Sequence, residues 1–167
     1  KYLLFRAEIV MGQIAKAAGM SPALAHHYFG SKEQIFLAAM RQVLVSYAAN
    51  IRARLPGSGP RGRLDAIVEG SFDQQHFHRD VIVAWLNFFA LALPNEQAAR
   101  LLRVHHGRLR SNLIVALRGL TPDPAGVAQA LGALIDGVYL RAVLSSDQPD
   151  PVAALRIVND YLDEVLT

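Results

Sequence analysis

The side chains best suited to bind a small molecule are aromatic residues on one predicted helix and an acidic residue on another. Trp85, Phe88 and Phe89 fall within five positions, and Asp136 interrupts an apolar segment. A carboxylate among apolar residues is costly unless it is paired, so the sequence indicates either a small-molecule pocket or ordinary core aromatics with a structural acid. The partners considered for this carboxylate are a cationic ligand, Arg110 and Arg141.

Metal and nucleophile chemistry find less support in the sequence. Asp73, His76, His78 and Asp80 could form a metal site on paper, but two histidines two positions apart do not share a helix face. The serines lack a convincing base or the sharp turn of a nucleophile elbow. We therefore predict no metal, no cofactor and no enzymatic activity.

A second set of candidates lies on a short predicted helix after Gly19. That glycine can end one helix in the left-handed conformation, and Ser21 with Pro22 opens the next. Helix, glycine turn and helix form a helix-turn-helix, whose second helix enters the major groove of DNA. The expected DNA contacts follow the order of the chain. They are short residues at the start of this helix (Pro22, Ala23), donors and acceptors one turn later (His26, His27) and phosphate-binding groups at its end (Tyr28, Lys32).

The remaining pattern is helical throughout, and we predict an all-α fold. Apolar residues recur at helical spacing, and proline and glycine interrupt them. The adjacent His105 and His106 lie among arginines, so we expect both to be solvated. The predicted segments are 31–55, 63–72 with an end near Gly70, 80–93, 95–120 with Asn95 as cap, 124–145, and 151–166 started by Asp150 and Pro151.

Composition favours a globular protein that touches nucleic acid at one end. Hydrophobic residues make up 52% of the chain and charged residues 19%, enough to bury a core. Residues 1–55 carry seven Lys or Arg against two acids, whereas residues 56–167 carry ten against twelve. The absence of cysteine weakly favours a cytoplasmic setting. We expect neither a signal peptide nor a membrane partner, because no apolar run reaches spanning length.

The last two predicted helices are more apolar than the surface helices of a monomer need to be. A symmetric dimer with a four-helix seam explains that excess. We expect residues 1–46 to form the DNA-binding domain and residues 47–167 the effector-binding and dimerisation domain.

The DNA-binding segment also resembles a known family. Residues 14–22 and 27–33 (HYFGSKE) resemble the signature of TetR-family one-component transcriptional repressors. The resemblance implies a helix-turn-helix domain that reads a palindromic operator and a helical domain that senses an effector. In that family a long helix precedes the motif. Residues 1–10 are too few to supply it, so we expect residues to be missing from the first helix.

Further segments resemble the BetI branch of that family, whose members repress choline uptake and oxidation to glycine betaine and are released by choline. These segments are 63–73, 84–89, 110–113 and 133–141. A quaternary ammonium is bound by aromatic faces and a nearby negative charge, which the resemblance assigns to Trp85, Phe88, Phe89, Asp136 and Tyr139. Two alternatives remain open, namely a TetR-like repressor that senses an apolar drug or metabolite and a helical adaptor that does not bind DNA.

Lys32 offers a test of the DNA-binding prediction. Because its ammonium is expected to meet a phosphate, Lys32→Ala should weaken binding to all DNA sequences alike and reduce the slope of log K against log salt by about 1. Electrophoretic shifts over a salt series on operator and random DNA measure both effects. A changed sequence preference with an unchanged slope would contradict the phosphate role.

Overall fold

The backbone of this chain forms six α-helices in the residues that the computed structural model describes, 32–55, 59–145 and 148–166. No strand occurs within these ranges, although one isolated bridge joins Arg118 and Thr121. The predicted all-α fold is confirmed. The helices are α1 (Lys32–Arg54), α2 (Pro60–Ser71), α3 (Arg79–Ala92), α4 (Glu96–Leu117), α5 (Pro124–Leu144) and α6 (Pro151–Val165).

The predicted DNA-contacting segment lies outside the described residues. The expectation that residues are missing from the helix before this segment also concerns residues outside the description. Lys32 begins α1, but its side chain is outside the description as well. The remaining DNA-contact predictions that fall there are Pro22, Ala23, His26, His27 and Tyr28.

Three helices begin where the sequence places a side-chain cap. Asn95 accepts a hydrogen bond from the backbone N–H of Ala98, and Asp150 accepts from two N–H groups at the start of α6. Asp123 accepts from Gly126 in front of α5. Each cap satisfies donors that have no partner within the helix, and the predicted starts at Asn95 and at Asp150 with Pro151 are confirmed.

Two predicted boundaries differ from the structure. Helix α2 begins at Pro60 and continues through Gly70. A Cβ on Gly70 would lie 2.7 Å from Ile51 Cγ1, so this glycine allows close packing of α1 on α2 and does not end the helix. Helix α4 ends at Leu117, before the expected Leu120, because Arg118 is extended with ψ of 124° and Gly119 follows it in a left-handed conformation with φ of 80°.

The hydrophobic core is organised around α4, which packs against α1, α2, α3 and α5. Helix α1 packs mainly along α2 and makes a thinner contact with α4. At the start of α1, Glu33 Oε2 accepts a hydrogen bond of 3.2 Å from Asn95 Nδ2. Helix α1 therefore runs beside α4, and much of the space between these two helices stays open.

Helices α5 and α6 keep large apolar side chains on the surface. Leu140, Leu144, Val152 and Ile157 are 45%, 75%, 66% and 50% exposed. By length and composition α5 is apolar enough to cross a membrane, so the expectation that no apolar run reaches spanning length is wrong. One such helix is weak evidence for a membrane span, since core helices of bundles meet the same criterion. Here α5 packs against α3, α4 and α6.

Candidate functional site

A small cavity lies inside the bundle where α1 to α5 meet, and we call it the inner cavity. About 30 Å³ is open to the centre of a water molecule, which is room for a few waters at most. Its lining residues are Tyr47, Ser71, Trp85, Phe89, His105, Leu109, Ile135, Asp136 and Tyr139.

Aromatic rings form one continuous wall of the inner cavity. The rings of Trp85 and Phe89 lie 5.8 Å apart between centroids, and those of Trp85 and His105 lie 5.0 Å apart. Tyr47 meets His105 edge-on at 5.6 Å. The spacing of Trp85 and Phe89 by four positions on α3 brings their rings to the same face of the helix.

Asp136 supplies the negative charge of the inner cavity. Its Oδ2 lies 3.6 Å from His106 Nε2, and this pair is ionic when the imidazole is protonated. The sequence suggested Arg110 or Arg141 as the partner of Asp136. The structure instead places His106 beside Asp136, one turn before Arg110 on α4. Burial raises the pKa of Asp136, and the charge of His106 acts in the opposite direction.

His106 Nε2 has no hydrogen-bond partner among the described residues although the atom itself is buried. The 3.6 Å separation from Asp136 Oδ2 is longer than a direct hydrogen bond. A buried polar atom without a partner is rare in proteins. The carboxylate of Asp136 is therefore weakly compensated by the protein itself.

His105 lies in the wall of the inner cavity, so the expectation that it is solvated is wrong. Burial, together with the charges of His106 and Arg108, lowers the pKa of His105 to about 4. The imidazole is neutral at physiological pH and adds no positive charge to the cavity. The sequence around His105 does not reveal its burial, because the rings that cover it are Trp85 on α3 and Tyr47 on α1.

A chain of hydrogen bonds connects the inner cavity to α1. The Tyr139 hydroxyl on α5 donates to the Ser71 carbonyl. Ser71 Oγ donates to the Ile67 carbonyl at 2.8 Å, so it accepts the 2.8 Å hydrogen bond from the Tyr47 hydroxyl. Burial raises the pKa of Tyr47 to about 12 and holds that of Tyr139 well above its usual range. Both hydroxyls therefore keep the protons that they donate.

The predicted effector residues divide into two groups. Trp85, Phe89, Asp136 and Tyr139 line the inner cavity. Phe88 is fully buried and packs against Trp85 with ring centroids 6.0 Å apart, outside the described lining. Their binding role stays a prediction.

The sequence interpretation missed Tyr47, Ser71 and His105 as cavity residues. Tyr47 falls at helical spacing with apolar residues in the sequence, and its hydroxyl is the one signal that could have revealed it.

The four residues considered as a metal site do not converge. Asp73 Oδ2 forms an ion pair of 2.6 Å with Arg54, and His76 is buried within 3.3 Å of Ser46 and Asn50 side chains. His78 and Asp80 are exposed. Across the described ranges, no group of three possible metal ligands comes together.

Comparison with known proteins identifies the family. A profile described as the C-terminal domain of BetI-type transcriptional repressors matches residues 60–167, and one for bacterial regulatory proteins of the tetR family matches residues 8–39. The chain belongs to the TetR family. It is 40% identical to the HTH-type transcriptional regulator BetI of Brucella anthropi over 93% of this chain and 81% of that protein. It is 42% identical to the BetI of Agrobacterium fabrum over 93% of this chain and 77% of that relative.

Solved structures share the fold. A TetR transcription regulator from Haloarcula marismortui aligns with a TM-score of 0.80 at 22% identity, covering 99% of this chain and 95% of that one. A transcriptional regulator from Saccharomonospora viridis, solved in complex with choline, aligns with a TM-score of 0.74 at 22% identity, covering 92% and 84%. The resemblance noted in the sequence is confirmed: the protein is a BetI-type TetR-family transcriptional repressor and not an enzyme.

The low pKa of His105 makes a testable contribution to pH-dependent stability. The unfolded chain binds a proton on this imidazole near its ordinary pKa of about 6.5, whereas the folded protein resists protonation until about pH 4. The free energy of unfolding should therefore decrease by about 2 kcal/mol as the pH is lowered from about 6.5 to about 4, after allowance for partial exposure of the ring. In His105→Gln that part of the loss should disappear.

Urea unfolding at several pH values measures the effect, and His78→Gln on the exposed α2–α3 connection is the matched control. Equal pH dependence of the wild type and the His105 variant would show that the imidazole is not held neutral.

Proposed function

We propose that this repressor binds operator DNA as a homodimer and is released by choline or a related quaternary amine held in the inner cavity. The observation that carries the proposal is the inner cavity itself. Aromatic rings from α1, α3 and α5 surround a weakly compensated carboxylate there, and the nearest imidazole in the wall is neutral.

A quaternary ammonium suits this chemistry because it cannot donate a hydrogen bond. Aromatic faces attract it through their quadrupoles, and the effect grows when the site excludes water. Asp136 adds a full negative charge, and the bound cation in turn favours the ionised carboxylate over the protonated form that burial favours. A drug-sized apolar ligand is disfavoured by the cost of burying that carboxylate without a partner, and it would have to enlarge the cavity of about 30 Å³ further than choline would.

Two relationships support this ligand. The curated relatives at 40% and 42% identity carry the name BetI. The regulator from Saccharomonospora viridis, which shares the fold, was solved with choline.

Dimerisation through α5 and α6 is supported by their exposed apolar residues. Leu140, Leu144, Val152 and Ile157 together form a surface that a partner subunit would cover. A Cβ on Gly132 would meet nothing within 4 Å in this chain, so a second backbone has room to approach α5. A two-fold dimer would present two recognition helices to a palindromic operator, with centres about 34 Å apart.

Helix α1 is the proposed link between the effector and the DNA. We place the boundary between residues 1–46 and 47–167 within this continuous helix, so Tyr47 is the first residue on the effector side. The inner cavity is smaller than choline requires, and admitting the ligand must move lining groups, Tyr47 among them. A ligand that favours the displaced position of α1 shifts the protein away from the spacing that fits the operator. We also propose that the protein acts in the cytoplasm, where it meets DNA.

The effector proposal is tested with Asp136→Asn. Loss of the charge should raise the Kd for choline about tenfold or more, because the cation loses its counter-ion, while operator affinity without choline stays within about twofold. Trp85→Ala should likewise impair the response. Calorimetry with choline and operator shifts with and without choline measure these quantities.

Asp80→Asn is the matched control, since it removes an exposed carboxylate on α3. If choline released Asp136→Asn from operator DNA at the concentrations that release the wild type, Asp136 would not be part of the choline site. Release by an apolar compound with no effect of choline would favour the drug-sensing alternative.

Tyr47→Phe tests the coupling between the cavity and α1. Removing the hydroxyl breaks the bond to Ser71 Oγ while keeping the ring, so choline should still bind within about threefold of the wild-type affinity. The choline-induced loss of operator affinity should shrink, because the coupling free energy of about 1–3 kcal/mol passes in part through that bond. Tyr161→Phe on α6 is the control. An undiminished response with unchanged choline affinity would remove Tyr47 from the coupling.

A further inference from the structure

A large groove runs along the outside of the bundle between α1 and α4, with part of α2 at one end. Its open volume is about 840 Å³, against about 30 Å³ for the inner cavity. We call it the arginine groove. Its lining combines three valines, Val45, Val104 and Val115, with arginines from three helices.

The floor of the arginine groove is apolar and partly open to water. Val45, Val104 and Val115 are 58%, 43% and 44% exposed, although none of them lies on the surface assigned to the dimer. On α4, Val104 and Val115 belong to one stripe of the helix surface, and Val45 faces that stripe from α1. Because α1 packs mainly on α2, no described helix covers this floor.

The rim of the arginine groove is positively charged. Arg41 and Arg52 come from α1, Arg63 from α2 and Arg108 from α4, and all four are exposed. No acidic residue is found among the described residues that line the groove.

Three other arginines of the bundle are neutralised. Arg54, Arg61 and Arg103 form ion pairs with carboxylates at 2.6, 2.9 and 2.7 Å. Within the described part of the chain, the four rim arginines make no such pair. Their charge is therefore available to a ligand.

Electrostatics separates the arginine groove from the proposed choline site. A quaternary amine would be repelled by four guanidinium groups, whereas the inner cavity offers the carboxylate of Asp136. The two spaces touch only where Tyr47, His105 and Leu109 line both. The charge of Arg108 already contributes to the low pKa of His105 across this boundary. The groove therefore suits a different ligand of opposite charge.

We propose that the arginine groove binds a single-chain amphipathic carboxylate, such as a medium-chain fatty acid, with its alkyl chain on the valine floor and its carboxylate between rim arginines. Guanidinium groups bind carboxylates through two parallel hydrogen bonds. The stretch of α1 from Arg41 to Leu55 spans roughly 20 Å at 1.5 Å per residue, which gives an extended chain room to lie along the helix. This site is additional to the proposed effector site.

The test uses dodecanoate below its micelle concentration and the whole protein, with binding measured by calorimetry. We expect saturable binding of one dodecanoate per chain. Arg63→Gln with Arg108→Gln should raise the Kd about tenfold, because two charge-assisted contacts are lost. Arg100→Gln with Arg110→Gln is the matched control: it removes the same charge from exposed positions outside the groove and should change the Kd less than about twofold.

A further ligand and a floor variant separate the alternatives. Dodecanol should bind at least about tenfold more weakly than dodecanoate, since its hydroxyl does not satisfy the arginines. Val45→Asp, at an exposed position, should abolish dodecanoate binding while circular dichroism stays unchanged.

Several results would overturn the proposal. These are the absence of saturable binding, equal losses in the two double variants, and equal affinity for dodecanol. If the protein sedimented with anionic phospholipid vesicles but did not bind dodecanoate, the groove would be assigned to contact with a membrane surface instead. Binding is read directly and without DNA, so a protein that fails to respond to choline can still bind dodecanoate, and the two proposals fail separately.

Discussion

The hydrogen bonds that join Tyr139, Ser71 and Tyr47 are the interaction on which the rest of this structure depends. They connect α5, α2 and α1 at one buried point, where an unpaired hydroxyl or carbonyl would be costly. The relative positions of these three helices are therefore tied together at the wall of the inner cavity. A change in that wall is transmitted to α1 because the Tyr47 hydroxyl cannot lose its partner without a penalty.

That arrangement places ligand chemistry beside the helix that follows the DNA-binding segment. The inner cavity combines an aromatic wall, the carboxylate of Asp136 and a neutral His105. Its small volume means that a ligand must displace something, and α1 is one of the elements in contact. The protein is a BetI-type TetR-family repressor, and in our proposal this displacement is what converts choline binding into release of the operator.

Charge divides the surfaces of the helical domain into separate proposed roles. The inner cavity carries a negative charge, the arginine groove carries four unneutralised positive charges, and the exposed face of α5 and α6 is largely apolar. Each environment selects a different partner: an organic cation, an amphipathic anion and a second subunit. Helix α1 borders the first two, which lets one element respond to both.

Local sequence determined the helices, their starts and the fold class. Capping by Asn95 and Asp150 depends on residues within one turn, so it is readable from the chain. The aromatic pair Trp85 and Phe89 and the acid Asp136 were identified from their types, because an aromatic cluster or a carboxylate in an apolar segment is stable in few environments. The family was also readable from the sequence, because its motifs are contiguous.

Only the tertiary structure decided which of these groups meet. Phe88 and Phe89 are adjacent in the chain, but one packs into the core and the other lines the inner cavity. His105 looked solvated beside the arginines of its own helix, and its neutral state comes from rings on α1 and α3 that pack over it. Burial and pairing between helices depend on contacts distant in the chain, and a pattern along one helix does not contain them.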